Sequence, residues 1–165
     1  MELPKRKPTR LKKYDYSTPG AYFVTICTHK KSHIFGKIYN GQMHLTKSGE
    51  IANDEILLIE SHYSNVKIEK YVIMPNHIHM IISISETERI NPFPTKKHDI
   101  SNIIGKFKAG VTRNVGNAFM HSAPKTIFQS SFHDHIIRNE NDYKKIWEYI
   151  DTNVIRWEND CFYNE

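Results

Sequence analysis

Long apolar runs, cysteines and repeated segments are scarce or missing in this sequence. No apolar run approaches the roughly 20 residues that a membrane-spanning helix needs, and no apolar segment follows the basic N-terminus as in a secretory signal. The two cysteines, Cys27 and Cys161, have neither the spacing of a zinc site nor a disulfide pattern. The chain has no internal repeat or low-complexity tract, which argues against a repeat array. These absences predict a cytoplasmic protein in a reducing environment, with no membrane partner.

The composition that remains is typical of one globular domain with a basic surface. With 165 residues, 39% of them hydrophobic and 12% aromatic, the chain can bury a sizeable core but is short for two domains. Its net charge of +5 points to an anionic partner, for which nucleic acid is the usual candidate. The ten histidines are a high count for this length and direct attention to metal or proton chemistry.

The sequence predicts a basic arm over residues 1–16 and a single domain over residues 17–165. The arm has no packing period, and two tyrosines follow its cations. It could contact phosphates and stack on bases, or it could be a solvated terminus, and the charges alone leave both possibilities open. Its basic residues are Lys5, Arg6, Lys7, Arg10, Lys12 and Lys13.

The periodicity of apolar residues predicts strands and helices interspersed along the domain. Strands are predicted over 21–28, 33–39, 42–45, 66–73 and 77–84, followed by an extended stretch over 126–132 and a last strand over 135–138. Helices are predicted over 49–62, 100–114 and 141–158, and residues 85–98 should form a polar, mobile connection. Because turns at Asn40-Gly41 and Pro75-Asn76 suggest hairpins, we expect an α+β fold with a mainly antiparallel sheet.

The strand over 77–84 begins with two histidines on the same face. Since side chains alternate along a strand, His77 and His79 project to one side, and Ile78 and Met80 project to the other. The two imidazoles are then roughly 6–7 Å apart along the strand, from where both could bind one metal ion. Such a pair is by itself more often two ordinary strand histidines, so the motif needs support from elsewhere in the chain.

The last predicted helix carries a tyrosine away from its apolar stripe. Tyr149 lies on a flank of this helix, and Asn153 is its neighbour one turn later. A hydroxyl that can act as a nucleophile is therefore placed beside an oxygen ligand, although a boundary tyrosine with its hydroxyl in water would show the same pattern. The stripe itself should dock on the sheet and consists of Tyr143, Ile146, Trp147, Ile150, Val154 and Trp157.

Together these two regions resemble the HUH motif (His, hydrophobic, His) and the tyrosine helix of the single-tyrosine HUH transposases, in particular the REP-associated tyrosine transposases. The resemblance spans nearly the whole chain. It departs at Phe128-Gln129, where relatives often have Trp-Gln, and at Val154, where they often have proline. The segments that carry it are Arg10-Leu11-Lys12-Lys13-Tyr14-Asp15-Tyr16, Pro19-Gly20-Ala21-Tyr22-Phe23-Val24-Thr25, Val72-Ile73-Met74-Pro75-Asn76-His77-Ile78-His79-Met80-Ile81-Ile82, Phe132-His133-Asp134-His135-Ile136-Ile137-Arg138 and Glu148-Tyr149-Ile150-Asp151-Thr152-Asn153.

The resemblance implies an antiparallel sheet of ferredoxin-like or RRM-like character, with packed helices and the HUH motif on a central strand. It implies that His77 and His79 hold a divalent metal, usually Mg²⁺ or Mn²⁺, with Asn153 as a further ligand. Tyr149 would be the catalytic nucleophile of a metal-dependent DNA nuclease and strand transferase. This transposase activity would cleave single-stranded or hairpin DNA through a 5′-phosphotyrosine intermediate, without a nucleotide cofactor. Family likeness also makes a homodimer an option, and the protein would associate with the nucleoid when bound to DNA.

Two other functions fit the same residues. One is a non-catalytic module of the same fold that binds single-stranded nucleic acid. The other is a metal-dependent hydrolase that uses activated water, which would need His77 but not Tyr149. A covalent protein–DNA adduct distinguishes the transposase from both. In either nucleic-acid function the arm would contact phosphates together with basic residues of the helix over 100–114, namely Lys106, Lys108 and Arg113.

Overall fold

The computed structural model describes residues 15–86 and 99–163, apart from the side chain of His121. The cations of the predicted basic arm and most of the predicted connection over 85–98 lie outside the described residues. The strands are β1 (Gly20–Cys27), β2 (Gly36–Tyr39), β3 (Gln42–Leu45), β4 (Val66–Ile73), β5 (His77–Ile84) and β6 (His133–Ile137), and the helices are α1 (Lys47–His62), α2 (Ile100–Phe119) and α3 (Glu140–Thr152).

Four of these strands form one antiparallel sheet in the order β4-β5-β1-β6, and β2 and β3 form a separate hairpin. The histidine-bearing strand β5 is therefore an interior strand, paired on both sides. This arrangement confirms the predicted α+β fold with the HUH motif on a central strand.

The two faces of the sheet have different partners. Alternate residues of β1 and β5 are buried in one core with α1 and α2; on β5 these are Ile78, Met80 and Ile82, each fully buried. The residues between them, including His77 and His79, project from the opposite face, on which α3 packs. The sheet therefore separates α1 and α2 from the histidine side chains.

Both predicted hairpin turns are present. Asn40 and Gly41 have φ angles of 51° and 70°, as the two central residues of a type I′ turn require, which explains the Asn-Gly pair. At the second hairpin, the backbone N–H of Met74 donates to the carbonyl of His77 at 2.8 Å across Pro75-Asn76. Because the turn is this tight, β5 begins directly after it, and His77 lies at the end of the sheet where β4 ends and β5 starts.

The ends of two helices and of the last strand differ from the prediction. Helix α2 continues to Phe119 rather than ending at 114, because Val115 is buried one turn after Val111 and extends the same core contact. Strand β6 begins at His133, two residues earlier than predicted, since its pairing with β1 starts there.

The predicted helix over 141–158 was too long, because α3 ends at Thr152. The chain then turns, and Trp157 lies in a short 3-10 segment, buried against the His77 ring with the centroids 5.9 Å apart. An uninterrupted helix would keep Trp157 on the stripe of α3, whereas its burial here requires the chain to leave the helix. Of the α3 residues only Ile150 is fully buried, so the apolar stripe docks on the sheet only in part.

Candidate active site

The two histidines of β5 lie side by side in the interior. Cross-strand pairing places His77 opposite Cys27 and His79 opposite Thr25, and the imidazole centroids are 4.4 Å apart. His77 is 0% exposed and His79 is 1% exposed. Burial of a polar imidazole costs free energy unless its nitrogens form hydrogen bonds or bind a metal ion, so two fully buried rings require such partners.

One nitrogen of each ring has a hydrogen-bond partner. His77 Nδ1 is 2.8 Å from Asn76 Oδ1, and His79 Nδ1 is 2.8 Å from Thr25 Oγ1. In both rings this orients Nε2 towards the space beneath α3. In metal sites, a hydrogen bond to one ring nitrogen commonly orients the imidazole so that its other nitrogen binds the metal.

Burial also keeps both rings neutral at neutral pH. It lowers the pKa of His77 to about 4, and the nearby Lys31 adds to this effect although Asp160 and Asn153 oppose it. Burial is the main reason that the pKa of His79 lies well below its usual value, and the neighbouring His77 lowers it further. Because a neutral imidazole is the form that binds metal ions, the environment selects the ligand state of both residues.

Tyr149 projects from α3 onto the second histidine. Its Oη lies 3.2 Å from His79 Nε2, and its ring meets that of Phe23 edge-on with centroids 6.1 Å apart. Helix α3 is held at its start by the side chain of Asn139, which accepts a hydrogen bond from the N–H of Asp142 at 2.9 Å. The tyrosine and the histidine pair belong to the same chain, so one chain contains the complete arrangement.

Asp160 is the site residue that the sequence analysis missed. Its Oδ2 accepts hydrogen bonds from Tyr149 Oη at 3.1 Å and from Asn153 Nδ2 at 2.8 Å, and its Oδ1 accepts from the N–H of Phe162 at 2.7 Å. One ligand atom each from His77, His79 and Asp160 lie within 4.8 Å of one another. The only sequence signal for Asp160 was a carboxylate shortly after the tyrosine helix, and the predicted extension of that helix to 158 concealed the turn that brings Asp160 back.

The phenol of Tyr149 is protonated in this environment. Burial raises its pKa, and both the negative charge of Asp160 and the hydrogen bond to it raise the pKa further. A phenol needs a positive charge or a proton acceptor nearby before it can act as a nucleophile. Asp160 can accept the phenolic proton, and the imidazole nitrogens could bind a metal ion that supplies the positive charge.

The donor atoms around this space fit a divalent metal ion. His77 Nε2 and Asn153 Oδ1 are buried and have no hydrogen-bond partner. Unpaired buried acceptors are costly, and a cation among them would satisfy both. Two imidazole nitrogens, a carboxylate and an amide oxygen form a mixed nitrogen and oxygen set of the kind that first-row divalent metals accept. Asn153, which the sequence predicted as a further ligand beside His77 and His79, caps the C-terminus of α3 and is 2% exposed.

The predicted DNA-binding residues of α2 lie on the other side of the sheet from this site. Lys108 Nζ donates to the carbonyls of Gln129 at 2.7 Å and Ser131 at 2.9 Å, where it supports the segment that leads into β6. Lys106 Nζ lies 5.1 Å from the centroid of the Tyr63 ring, and Arg113 is exposed. The structure thus does not bring these three residues together with Tyr149.

The histidines near β6 do not join the metal-ligand group either. His133 is exposed at the edge of the sheet, and His135 Nε2 lies 2.8 Å from Asp142 Oδ2. Within the described residues, the group of three or more potential metal ligands consists of His77, His79 and Asp160. None of the described helices is long and apolar enough to cross a membrane.

Comparison with known proteins identifies a relative that spans nearly the whole chain. No family model matches the chain. An uncharacterized protein of Haemophilus influenzae (strain ATCC 51907 / DSM 11121 / KW20 / Rd) is 38% identical over 170 residues, which cover 96% of this chain and 93% of that protein.

Two solved structures share the fold. A REP-associated tyrosine transposase bound to a REP hairpin superposes with a TM-score of 0.65 and 21% identity over 90% of this chain and 74% of that chain. A candidate transposase from Deinococcus radiodurans has a TM-score of 0.52 and 15% identity over 87% of this chain and 95% of that chain. These neighbours confirm the resemblance in fold that the HUH motif predicted. The chain belongs to one family with the Haemophilus influenzae protein and has the fold of the HUH tyrosine transposases.

Proposed function

We propose that this protein is a metal-dependent DNA nuclease and strand transferase that uses Tyr149 as its nucleophile. The observation that carries the proposal is the position of Tyr149 Oη, 3.2 Å from His79 Nε2 within one chain and 3.1 Å from Asp160 Oδ2. Neither a module that only binds nucleic acid nor a hydrolase that activates water needs a phenol at this position. The fold shared with tyrosine transposases supports the same assignment.

The metal would be held by the atoms that face the space beneath α3. Those residues are His77, His79 and Asp160, with Asn153 Oδ1 as a further oxygen donor. A divalent ion, for which we propose Mg²⁺ or Mn²⁺, would polarise a phosphoryl oxygen and neutralise the charge that develops on it.

The residues of the chain account for the proton and the bond changes of cleavage. Tyr149 Oη donates its hydrogen bond to Asp160 Oδ2, so the carboxylate is placed to accept the phenolic proton. The phenol oxygen forms a bond to phosphorus while the bond from phosphorus to the 3′-oxygen breaks. The 3′-oxygen leaves and takes up the proton that Asp160 received, which restores the carboxylate, and the 5′-phosphate remains joined to Tyr149.

Strand transfer reverses these changes with a different 3′ end. A second 3′-hydroxyl attacks the phosphotyrosine, the bond between phosphorus and the phenol oxygen breaks, and Tyr149 regains a proton. Because one ester bond is exchanged for another at each step, no nucleotide energy source is required. Hydrolysis of the phosphotyrosine by water is the competing outcome.

We propose single-stranded or hairpin DNA as the substrate. The solved REP-associated tyrosine transposase is bound to a REP hairpin, and the net charge of +5 favours an anionic partner. The basic residues of the arm, with Lys106, Lys108 and Arg113, remain the predicted phosphate contacts. Lys108 would have to bind a phosphate while it also donates to the carbonyl of Gln129. A cytoplasmic location with nucleoid association, and a homodimer, also remain predictions, although one chain already contains all the proposed catalytic groups.

The test is covalent capture of labelled hairpin DNA in the presence of Mg²⁺ or Mn²⁺, followed by denaturing electrophoresis. The wild type should form a protein–DNA adduct, and Tyr149→Phe should form none. Tyr143→Phe is the matched control, because Tyr143 lies on the same helix outside the site and should retain the adduct.

Three outcomes would contradict the proposal. An adduct that persists in Tyr149→Phe would assign the nucleophile elsewhere. Tight hairpin binding by the wild type without cleavage under any metal condition would favour the binding module. Cleavage that survives Tyr149→Phe but not His77→Ala, without an adduct, would favour the hydrolase.

A further inference from the structure

Two hydrogen bonds, both donated in the same direction, lead from the first histidine through Asn76 to the C-terminal segment. The carbonyl of Phe162 can only accept a hydrogen bond, and Asn76 Nδ2 donates to it at 2.8 Å. The amide of Asn76 is thereby oriented so that its Oδ1 faces His77 Nδ1, also at 2.8 Å. Since that oxygen is likewise only an acceptor, His77 Nδ1 must carry the hydrogen.

This assignment determines what the other nitrogen of the ring can do. In a neutral imidazole with hydrogen on Nδ1, Nε2 bears a lone pair. His77 Nε2 is buried and has no hydrogen-bond partner among the described residues, as expected for a nitrogen that bears a lone pair and no hydrogen to donate. The ring thus presents the nitrogen that a metal ion would bind.

The backbone of Asn76 is held as firmly as its side chain. The carbonyl of Asn76 accepts from the N–H of Thr28 at 2.9 Å, and the Thr28 hydroxyl, 2.9 Å away, is shared between this carbonyl and that of Ser32. Asn76 is 1% exposed. The turn between β4 and β5 is therefore attached to the end of β1. Asn76 has little freedom to rotate its amide away from His77.

The second histidine has a different kind of partner. The hydroxyl of Thr25, 2.8 Å from His79 Nδ1, can either donate or accept. Thr25 by itself therefore permits either neutral tautomer of His79, whereas Asn76 permits only one neutral tautomer of His77. Of the two residues, Asn76 is the one whose chemistry selects a tautomer.

We propose that Asn76 is a positioning residue that imposes the Nδ1–H tautomer on His77 and so preorganises Nε2 as a metal ligand. This inference rests on the metal site of the proposed function. It assigns to the Asn that precedes the HUH histidine a role separate from that of Asn153: Asn76 acts through His77 and does not bind the metal itself.

The first experiment needs only the wild-type protein without metal or DNA. Nitrogen-15 NMR of the histidine side chains distinguishes a protonated Nδ1 from a protonated Nε2. We expect the His77 signals to show hydrogen on Nδ1 at neutral pH. A His77 ring with hydrogen on Nε2 would overturn the proposal whatever the behaviour of any variant.

The second experiment measures Mn²⁺ affinity by titration calorimetry. Asn76→Ala should bind Mn²⁺ roughly 10- to 100-fold more weakly, as is typical when the partner of a metal-binding histidine is removed. Asn76→Asp keeps an acceptor for Nδ1–H but loses the donor to the Phe162 carbonyl, so it should lose less affinity than Asn76→Ala. The control is Asn117→Ala, an exposed position on α2 that should bind as the wild type does.

The outcomes separate this proposal from the proposed function. Wild-type affinity in Asn76→Ala, or a loss in Asn76→Asp as large as in Asn76→Ala, would overturn the positioning role. An absence of Mn²⁺ binding to the wild type would overturn it as well. If the tautomer and the affinities are as expected but no protein–DNA adduct forms, the proposed nuclease activity fails and the positioning role stands. Should Asn76→Ala not fold, the wild-type spectrum and Asn76→Asp still decide the question.

Discussion

Acidification should destabilise the metal-free protein because His77 must then take up a proton inside the core. Burial lowers the pKa of His77 to about 4, compared with 6.5 for an ordinary histidine. Between these two values the unfolded chain binds more protons than the folded chain. The stability that His77 contributes is therefore fully present above pH 6.5 and is lost as the pH falls towards 4.

The size of the effect follows from the difference of about 2.5 pKa units between the folded and unfolded chains. One unit corresponds to about 1.4 kcal/mol, so His77 should cost roughly 2–3 kcal/mol of unfolding free energy between pH 7 and pH 4.5. Other groups titrate in the same range, so the effect must be isolated by comparison with His77→Gln, which has no titrating ring.

The assay is urea unfolding in the presence of a chelator at pH 7 and pH 4.5, followed by circular dichroism. The wild type should lose roughly 2–3 kcal/mol more than His77→Gln over this interval. Equal losses in the two proteins would refute the argument, because they would mean that His77 charges as easily in the folded state as in the unfolded chain.

Two further perturbations test the packing and the thiols. In Gly110→Ala the new Cβ would overlap Glu55 Oε2, so urea unfolding should show a loss of about 1–3 kcal/mol of unfolding free energy. Gly105→Ala, whose new Cβ has nothing within 4 Å, should gain about 0.5–1 kcal/mol, and a gain at both positions would show that Glu55 moves freely. Iodoacetamide at pH 8 should label the exposed Cys161 and leave Cys27 unmodified, because burial raises the pKa of the Cys27 thiol to about 11; mass spectrometry that finds Cys27 labelled in the folded protein would contradict this.

Local patterns were sufficient to predict most of the sheet. Period-two alternation placed His77 and His79 on one face of β5, and the structure has them there. The Asn-Gly pair predicted a two-residue hairpin because few other residues accept two positive φ angles. Such features depend on backbone geometry within a few residues, and the sequence contains that information directly.

Helix ends were less predictable than helix positions. Apolar residues recur at helical spacing through Val154 and Trp157, yet α3 ends at Thr152. Val115 shows the opposite error, since α2 extends past its predicted end to bury it. In both helices a contact with a distant part of the chain determined the end, and helical periodicity carries no information about such contacts.

By itself the sequence determined that His77 and His79 share one face of a strand, that a helix carries Tyr149, and that Asn153 follows one turn later. These follow from side-chain alternation in a strand and from the 3.6-residue period of a helix. Only the tertiary structure showed that Tyr149 reaches His79 of its own chain, that Asp160 returns to accept its hydrogen bond, and that Phe162 orients Asn76. The physical reason is that a turn after α3 brings the C-terminal segment back over the sheet, and the hydrogen bonds of this segment join residues separated by up to 130 positions in the chain.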